Sequence, residues 1–169
     1  VGAVTGVRLR GAEADQTVVL IDGVKLNDPS QPGGGFNFAN LLLGDLDRIE
    51  VLRGPQSTLY GSQAIGGVVN LITRDATRPL EASLAAETGD LETTSLRGAV
   101  RGAVGALRFA ASAGRFETAG ISAAAAGRER DGYENTAAQA RAAYQLSPAL
   151  ALEARVWWSE GEVGIDGFP

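Results

Sequence analysis

The glycine-rich stretch Arg48–Thr73 is the part of the chain whose residue types and spacing come closest to a chemical site; its sequence is RIEVLRGPQSTLYGSQAIGGVVNLIT. Glycine-rich loops can hold phosphate groups with backbone N–H groups, but such loops end in Gly-Lys-Ser/Thr or follow the spacing G-x-G-x-x-G. Neither pattern occurs here. We therefore interpret Gly61, Gly66 and Gly67 as residues that permit turns with positive φ or close packing of strands.

The composition argues against several kinds of catalysis and binding. The chain has no histidine and no cysteine, which removes thiolate zinc sites, disulfides and histidine-based acid–base chemistry. It carries 15 Lys and Arg against 20 Asp and Glu, and Lys25 is its one lysine, so we expect no nucleic-acid-binding surface. We predict a protein that is not an enzyme and that holds no cofactor.

Two carboxylates in the second half, Asp131 and Glu134, offer oxygen atoms of the kind that calcium binds. They stand near Arg128 and Arg130, whose positive charges oppose a bound cation. We expect this region to be a solvated charged loop, and we predict no metal site.

Residues 1–75 are predicted to form a small α+β domain. Short runs rich in Val, Ile and Leu are separated by Gly, Asp, Asn and Pro, as is typical of short strands joined by turns. The predicted strands are Val7–Arg10, Thr17–Ile21, Arg48–Leu52 and Val68–Thr73. Between them we predict two short helices, Phe38–Asp47 and Pro55–Tyr60, with Pro55 at the first helical position, where its missing N–H costs nothing.

Residues 79–169 have a different pattern, in which apolar and polar residues alternate with a period of two. Alternation of this length indicates strands with one apolar and one polar face. About five strands are predicted, namely Leu80–Glu87, Glu92–Arg101, Leu107–Phe116, residues 135–144 and Leu150–Ser159. Each is close to the length of about 9–11 residues that a tilted strand needs to span a bilayer.

The connections between these strands also carry information. We expect a bulge or a shifted boundary in the third strand, because Phe109 and Phe116 fall on opposite parity. The connection Thr118–Tyr133 is long, and the turns Gly102–Ala106 and Ser147–Ala149 are short. This asymmetry is typical of outer-membrane barrels, whose long loops face outside. Five strands do not close a barrel, so we interpret the chain as a piece of a larger protein.

Several blocks of the first half resemble the plug domain of TonB-dependent receptors in order and spacing. The C-terminal end of that domain is matched by RIEVLRGP, YGS and AIGGVVNLIT, all within Arg48–Thr73. The preceding plug strands are matched by VRLRG at Val7–Gly11 and by VVLIDGV at Val18–Val24, followed by Asn27 and Asp28. Within the family, Gly33–Asn40 (GGGFNFAN) most resembles members grouped with the cobalamin receptor, and siderophore receptors are close.

The resemblance implies a fold and a function. The fold is the C-terminal part of an α+β plug domain in residues 1–75, followed in residues 79–169 by about the first five strands of an antiparallel transmembrane β-barrel. The function is uptake of a scarce nutrient, cobalamin or a ferric siderophore, across the outer membrane of a Gram-negative bacterium. The implied partners are this small ligand, outer-membrane lipid and TonB, which the family engages through a Ton box expected upstream of Val1.

The resemblance also assigns candidate site residues. Arg10 and Arg53 match positions where plug arginines of the family pair with glutamates of the barrel wall, so they are candidate plug–barrel latches. A guanidinium suits this role because it can grip a carboxylate with two hydrogen bonds. Phe36, Asn37 and Asn40 lie in a polar, glycine-rich segment that by family likeness approaches the surface where ligand first arrives. They are the candidate substrate contacts.

Two other classes of protein remain open at this point. A soluble β-rich binding module without transport activity would show the same alternation, and its residues 80–169 would fold alone in water. An outer-membrane hydrolase would need a constellation such as Ser–His–Asp, and the lack of histidine argues against one within this chain.

Overall fold

The computed structural model describes residues 4–27, 34–42, 44–122 and 130–164, and its chain divides into two compact units. The four-stranded unit consists of Val4–Ala39 and Leu46–Arg74. The five-stranded unit consists of Asn40–Asp45 together with the chain from Asp75 onward. The short segment Asn40–Asp45 therefore packs with the second half of the protein, although it lies in the first half of the sequence.

In the four-stranded unit the strand order is β2-β1-β4-β3. The strands are β1 (Thr17–Ile21), β2 (Val24–Lys25), β3 (Leu46–Arg53) and β4 (Gly67–Thr73). Strands β1 and β4 are parallel, and the other two pairs are antiparallel. The core is a buried cluster of Val18, Leu20, Ala64 and Val68, because the central pair β1 and β4 consists almost entirely of Val, Leu and Ile.

Three short helical segments accompany these strands in the part of the chain that the structure describes. They are α1 (Ser57–Tyr60) and two 3-10 turns, Ala14–Gln16 and Phe38–Asn40. None of the helices among the described residues is long and apolar enough to cross a membrane.

Three of the four strands predicted in the first half are confirmed, and Val7–Arg10 is wrong. Arg10 has a φ of 53° and Gly11 a φ of 81°, and the N–H of Ala12 donates a hydrogen bond of 3.0 Å to the carbonyl of Leu9. Two successive left-handed residues are incompatible with a strand, so this segment ends in a tight turn.

The helix predicted over Phe38–Asp47 is also wrong, because only the single turn Phe38–Asn40 forms and β3 begins at Leu46. The intervening segment packs on the five-stranded sheet, and these contacts override its local preference. The other predicted helix is confirmed but shorter: α1 begins at Ser57, so Pro55 precedes the helix instead of starting it.

The five-stranded unit is an antiparallel sheet whose strands follow one another in sequence order. They are β5 (Glu81–Gly89), β6 (Thr93–Val104), β7 (Leu107–Thr118), β8 (Tyr133–Ser147) and β9 (Leu150–Val163). All five predicted strands are confirmed, with observed lengths of 9 to 15 residues. The turns between β6 and β7 and between β8 and β9 are tight, as their sequences predicted.

The bulge expected in the third of these strands is not found. The register of β7 is continuous with both β6 and β8, and the irregularity lies instead in β8, between Gln145 and Ser147. Phe109 and Phe116 therefore occupy opposite faces of a regular strand. Phe109 lies opposite Gly102, and the ring of Phe116 lies 6.0 Å from the ring of Tyr133.

The register gives this sheet two chemically different faces. What we call the apolar face carries Leu84, Val100, Ala111, Ala140 and Val156. What we call the polar face carries Glu81, Arg101, Ser112, Gln139, Arg141 and Arg155. Large side chains of the apolar face are exposed, with Leu84 at 79%.

Candidate functional site on the polar face

A three-residue ionic cluster lies on the polar face where Asn40–Asp45 meets the sheet. One terminal nitrogen of Arg101 donates hydrogen bonds of 2.9 Å to both carboxylate oxygens of Asp45. The other terminal nitrogen donates to Glu81 at 2.7 Å. The side chains of Arg101, Asp45 and Glu81 are 11%, 10% and 17% exposed. Such a cluster holds segments in register and has no group poised for acid–base chemistry.

Glu81 is itself fixed by the chain that leads into β5. Its carboxylate accepts hydrogen bonds from the hydroxyl of Thr77, at 2.9 Å, and from the N–H of Thr77, at 3.3 Å. Arg101 therefore pairs with a carboxylate, that of Glu81, which is already held in position. Its other terminal nitrogen remains directed at the carboxylate of Asp45.

Small residues let the segment approach the sheet closely beside this cluster. A Cβ on Gly44 would lie 2.7 Å from Oγ of Ser112, so only glycine fits there without movement. The hydroxyl of Ser112 also accepts a hydrogen bond of 2.9 Å from the side chain of Gln139. Next to this contact, Leu42 lies above Gly114, with its Cδ1 atom 3.8 Å from the place of a Cβ.

The arginines of the polar face form a row across the sheet. Glu81, Arg101, Ala110, Arg141 and Arg155 are successive register partners from β5 to β9. Arg141 is paired with Asp75, and Arg155 is paired with Glu153 at 2.8 Å. Because like charges directly opposite each other are destabilising, the row depends on these carboxylates.

The structure brings the two predicted latch arginines to one region of the four-stranded unit. Arg53 is the last residue of β3, and Nη1 of Arg10 lies 3.8 Å from the place of a Cβ on Gly54. Both side chains are exposed, and neither forms an ion pair with the residues that the structure describes. Arg48 on the same strand differs, since hydrogen bonds to Glu50 and Asp47 raise its pKa.

Two of the three predicted substrate contacts, Phe36 and Asn37, have structural roles inside the four-stranded unit. Phe36 is buried and stacks edge-on against Phe38, with ring centres 5.1 Å apart. The side-chain oxygen of Asn37 accepts hydrogen bonds from the N–H groups of Thr5, at 2.9 Å, and of Ala39, at 3.1 Å. Asn40 closes the 3-10 turn, and its side chain lies outside the described residues. Their contact with a ligand stays a prediction.

Two polar residues that the sequence reading missed also hold this unit together. The carboxylate of Asp22 accepts hydrogen bonds from the N–H of Thr73, at 2.8 Å, and from its hydroxyl, at 2.6 Å. The side chain of Asn27 makes three hydrogen bonds to the backbone. Asp and Asn directly after a strand are a signal for such side-chain-to-backbone bonding.

The charged residues considered for calcium are arranged differently. Glu134 lies in β8 and pairs with Arg115 of β7 at 2.9 Å, while Asp131 is buried just before the strand. Among the described residues there is no group of three or more carboxylates arranged to hold a metal ion. Arg128 lies outside the described residues.

Comparison with known proteins gives these features a family. Residues 1–68 match the family model described as the TonB-dependent Receptor Plug Domain. The chain belongs to the TonB-dependent receptor family. This confirms the predicted family and the predicted fold, a plug domain followed by antiparallel barrel strands, and it makes the polar face of the sheet part of a receptor's barrel.

Relatives of this TonB-dependent receptor chain include transporters and an iron-regulated protein. It is 31% identical over 168 residues to the vitamin B12 transporter BtuB of Photobacterium profundum, which covers 98% of this chain and 27% of the relative. It is 45% identical over 78 residues to an iron-regulated outer membrane virulence protein of Vibrio cholerae, covering 43% of this chain and 12% of the relative. The first of these relatives is named as a transporter and the second as an outer membrane protein.

A solved structure supports the fold over nearly the whole chain. The siderophore receptor PirA from Acinetobacter baumannii is 25% identical, with a TM-score of 0.68 over 92% of this chain and 25% of that one. The chain thus spans only 12% to 27% of the length of the proteins it is compared with here.

Proposed function

We propose that this chain is part of an outer-membrane receptor that takes up cobalamin or a ferric siderophore, with energy supplied through TonB. The observation that carries the proposal is a plug-family sheet in the same chain as a sheet with one exposed apolar face and one charged face. The names of the relatives supply the two ligand classes, vitamin B12 and siderophores. No chemical step on the ligand is part of this function.

In this proposal residues 79–169 begin the barrel and residues 1–75 end the plug. The apolar face of the sheet contacts outer-membrane lipid, and the polar face lines the lumen. The connection between β7 and β8 then faces outside. Beyond the apolar residues, that end of the sheet carries the ion-paired residues Arg115, Glu117 and Glu134, which suit contact with water and lipid head groups.

The predicted site residues enter this scheme in two groups. Arg10 and Arg53, exposed and close together, are proposed to pair with barrel glutamates and to release when the plug rearranges. The segment that holds Phe36, Asn37 and Asn40 is proposed to lie below the arriving ligand.

Uptake by the full-length receptor tests the proposal directly. Cells that express it are given labelled cobalamin or labelled ferric siderophores, with and without functional TonB. We expect one label to accumulate only when TonB is present, while surface binding of that label persists without TonB. A full-length product that is soluble, or uptake that is indifferent to TonB, contradicts the proposal and favours a binding module.

A matched pair of substitutions on β5 tests the assignment of the two faces. Leu84→Arg places a positive charge on the apolar face of the sheet. Ala85→Arg places the same charge one residue further along β5, on the polar face. We expect Leu84→Arg to destabilise the inserted barrel by roughly 2–4 kcal/mol, the cost of arginine near the middle of the bilayer. Ala85→Arg lies opposite Arg97, whose charge is already paired with Glu87, and is expected to cost only about 1 kcal/mol.

Urea unfolding of the full-length receptor in lipid vesicles measures both variants. Equal unfolding midpoints for Leu84→Arg and Ala85→Arg, both close to wild type, would show that Leu84 does not face lipid.

A further inference from the structure

We propose that Arg101 and Arg141 are two fixed anchors that hold Asp45 and Asp75, the residues that flank segment 46–74 of the chain, on the five-stranded sheet, and that these contacts stay closed while the ligand passes. The statement about ligand passage rests on the proposed transport function. The ionic contacts themselves are features of the five-stranded unit and do not depend on it.

The two aspartates bracket one pair of plug strands. Asp45 immediately precedes β3, and Asp75 follows the end of β4 by two residues. Leu46 and Thr73, the terminal residues of these strands, are register partners. The chain therefore enters and leaves the β3–β4 pair at the same end. A carboxylate lies within two residues of each of these points.

The two arginines that receive these carboxylates lie in one row of the polar face. Arg101 in β6 and Arg141 in β8 are both opposite Ala110 of β7, so their backbones are about 10 Å apart, or two strand spacings. The alanine between them leaves room for both guanidinium groups. The row thus offers two separate positive charges to two chain segments that exit side by side.

The contact at Arg101 has the geometry of a permanent one. The side chains of Arg101 and Asp45 are nearly buried. The second terminal nitrogen of Arg101 donates a hydrogen bond to the carboxylate of Glu81. Separating Asp45 from Arg101 would leave a desolvated carboxylate without a cation, which is strongly unfavourable. Gly44 against Ser112 and Leu42 above Gly114 add close packing to the same segment.

The contact at Arg141 is weaker, and it also has a role in the sheet. Asp75 is 67% exposed, so water screens this pair more than the first. However, Arg141 lies directly opposite Arg155, and the carboxylate of Asp75 offsets part of the repulsion between these like charges. The carboxylate of Asp75 therefore serves the barrel sheet as well as the plug segment.

The anchors and the candidate latch lie at opposite ends of one strand. Asp45 precedes the first residue of β3, and Arg53 is the last, which separates them by roughly 25 Å of extended chain. Segment 46–74 can therefore change its contacts near Arg53 while Asp45 stays bound to Arg101.

A reversible disulfide beside the first anchor tests whether it stays closed. A Cβ on Gly44 would lie 3.0 Å from Cβ of Ser112, close to the spacing of about 3.5–4.5 Å in disulfides. In the full-length receptor carrying Gly44→Cys and Ser112→Cys, Arg101 and Asp45 are unchanged. We expect TonB-dependent uptake under oxidising conditions to stay within about twofold of uptake after reduction, with each single variant as control. Uptake that falls tenfold on oxidation and returns on reduction would overturn the proposal.

A second measurement tests the anchors without any transport. Hydrogen exchange at the amides of Leu46 and Thr73 is compared in the purified full-length receptor for Arg101→Gln, Arg141→Gln and Arg155→Gln. We expect exchange to quicken about tenfold or more for Arg101→Gln and by a smaller factor for Arg141→Gln. The effect of Arg155→Gln, which removes a pair with Glu153, is expected to be smaller than that of Arg101→Gln. An equal effect in all three variants would mean that the row merely stabilises the sheet. Because this result needs no ligand or TonB, it separates failure of the anchors from failure of the proposed function.

Discussion

Replacing Gly67 with alanine is expected to destabilise the four-stranded unit by on the order of 4 kcal/mol. A Cβ on this residue would lie 2.2 Å from the carbonyl oxygen of Leu52 and 2.8 Å from Cδ1 of Leu9, so the backbone itself would have to shift. Gly67 also has a φ of 149°, a conformation that alanine adopts only with strain. The residue begins β4, which pairs with both β1 and β3, so the disturbance reaches the centre of the sheet.

Hydrogen exchange of the β4 amides in the purified full-length receptor measures this effect. A loss of 4 kcal/mol corresponds to exchange about a thousandfold faster, at about 1.4 kcal/mol for each factor of ten. Gly23→Ala is the matched control, because Gly23 has a φ of 84° but no atom within 4 Å of a Cβ. We expect it to cost only about 1–2 kcal/mol, from backbone strain alone. Equal effects of the two substitutions would contradict the steric argument.

The glycine pair before β4 shows what the sequence predicts well. Gly66 and Gly67 were interpreted as residues for close packing, and a Cβ on Gly66 would lie 2.7 Å from Cβ of Ala12. Strand type and face in the second half were equally accessible, because a period of two is a local property of the chain. The same pattern places Arg101 and Ser112 on one face without any knowledge of the fold.

The contacts of the polar face could not be predicted in this way. Asp45 is 56 residues from Arg101, and it lies in a segment whose local preference suggested a helix. Gly44 and Asp45 of that segment contact the five-stranded sheet instead of continuing a helix, and nothing in the local sequence indicates this. Pairing over such separations depends on the path of the folded chain.

The structural contacts of the predicted substrate-binding residues could not be predicted from composition either. In this polar, glycine-rich segment Phe36 and Phe38 pack on each other and Asn37 accepts backbone hydrogen bonds, while contact of these residues with a ligand stays a prediction. Two aromatic side chains at alternate positions are more readily buried together than exposed. Sequence composition shows that such a segment is irregular, and it does not show which of its side chains are already used.

The side chain of Asn27 makes three hydrogen bonds to the backbone, and Asn27→Ala is expected to destabilise the four-stranded unit by about 3–5 kcal/mol. Its side-chain oxygen accepts the N–H of Val19 at 2.8 Å. Its side-chain nitrogen donates to the carbonyls of Thr17, at 3.1 Å, and Gly34, at 3.2 Å. Val19 and Thr17 are 1% exposed, so the backbone groups left behind have little access to water. Each such unsatisfied group costs about 1–3 kcal/mol.

Two further variants separate the donors of Asn27 from its acceptor. Asn27→Asp keeps the oxygen that faces Val19 but turns a negative charge toward two carbonyls, so we expect it to destabilise the unit at least as much as alanine does. Asn70→Ala removes a single exposed hydrogen bond, from the N–H of Gly23 at 3.2 Å, and is expected to cost less than about 1 kcal/mol. Hydrogen exchange of the β1 amides in the full-length receptor compares all three. Exchange near the wild-type rate in Asn27→Asp would mean that the two carbonyls are not held by the side-chain nitrogen, and that Asn27 contributes only through Val19.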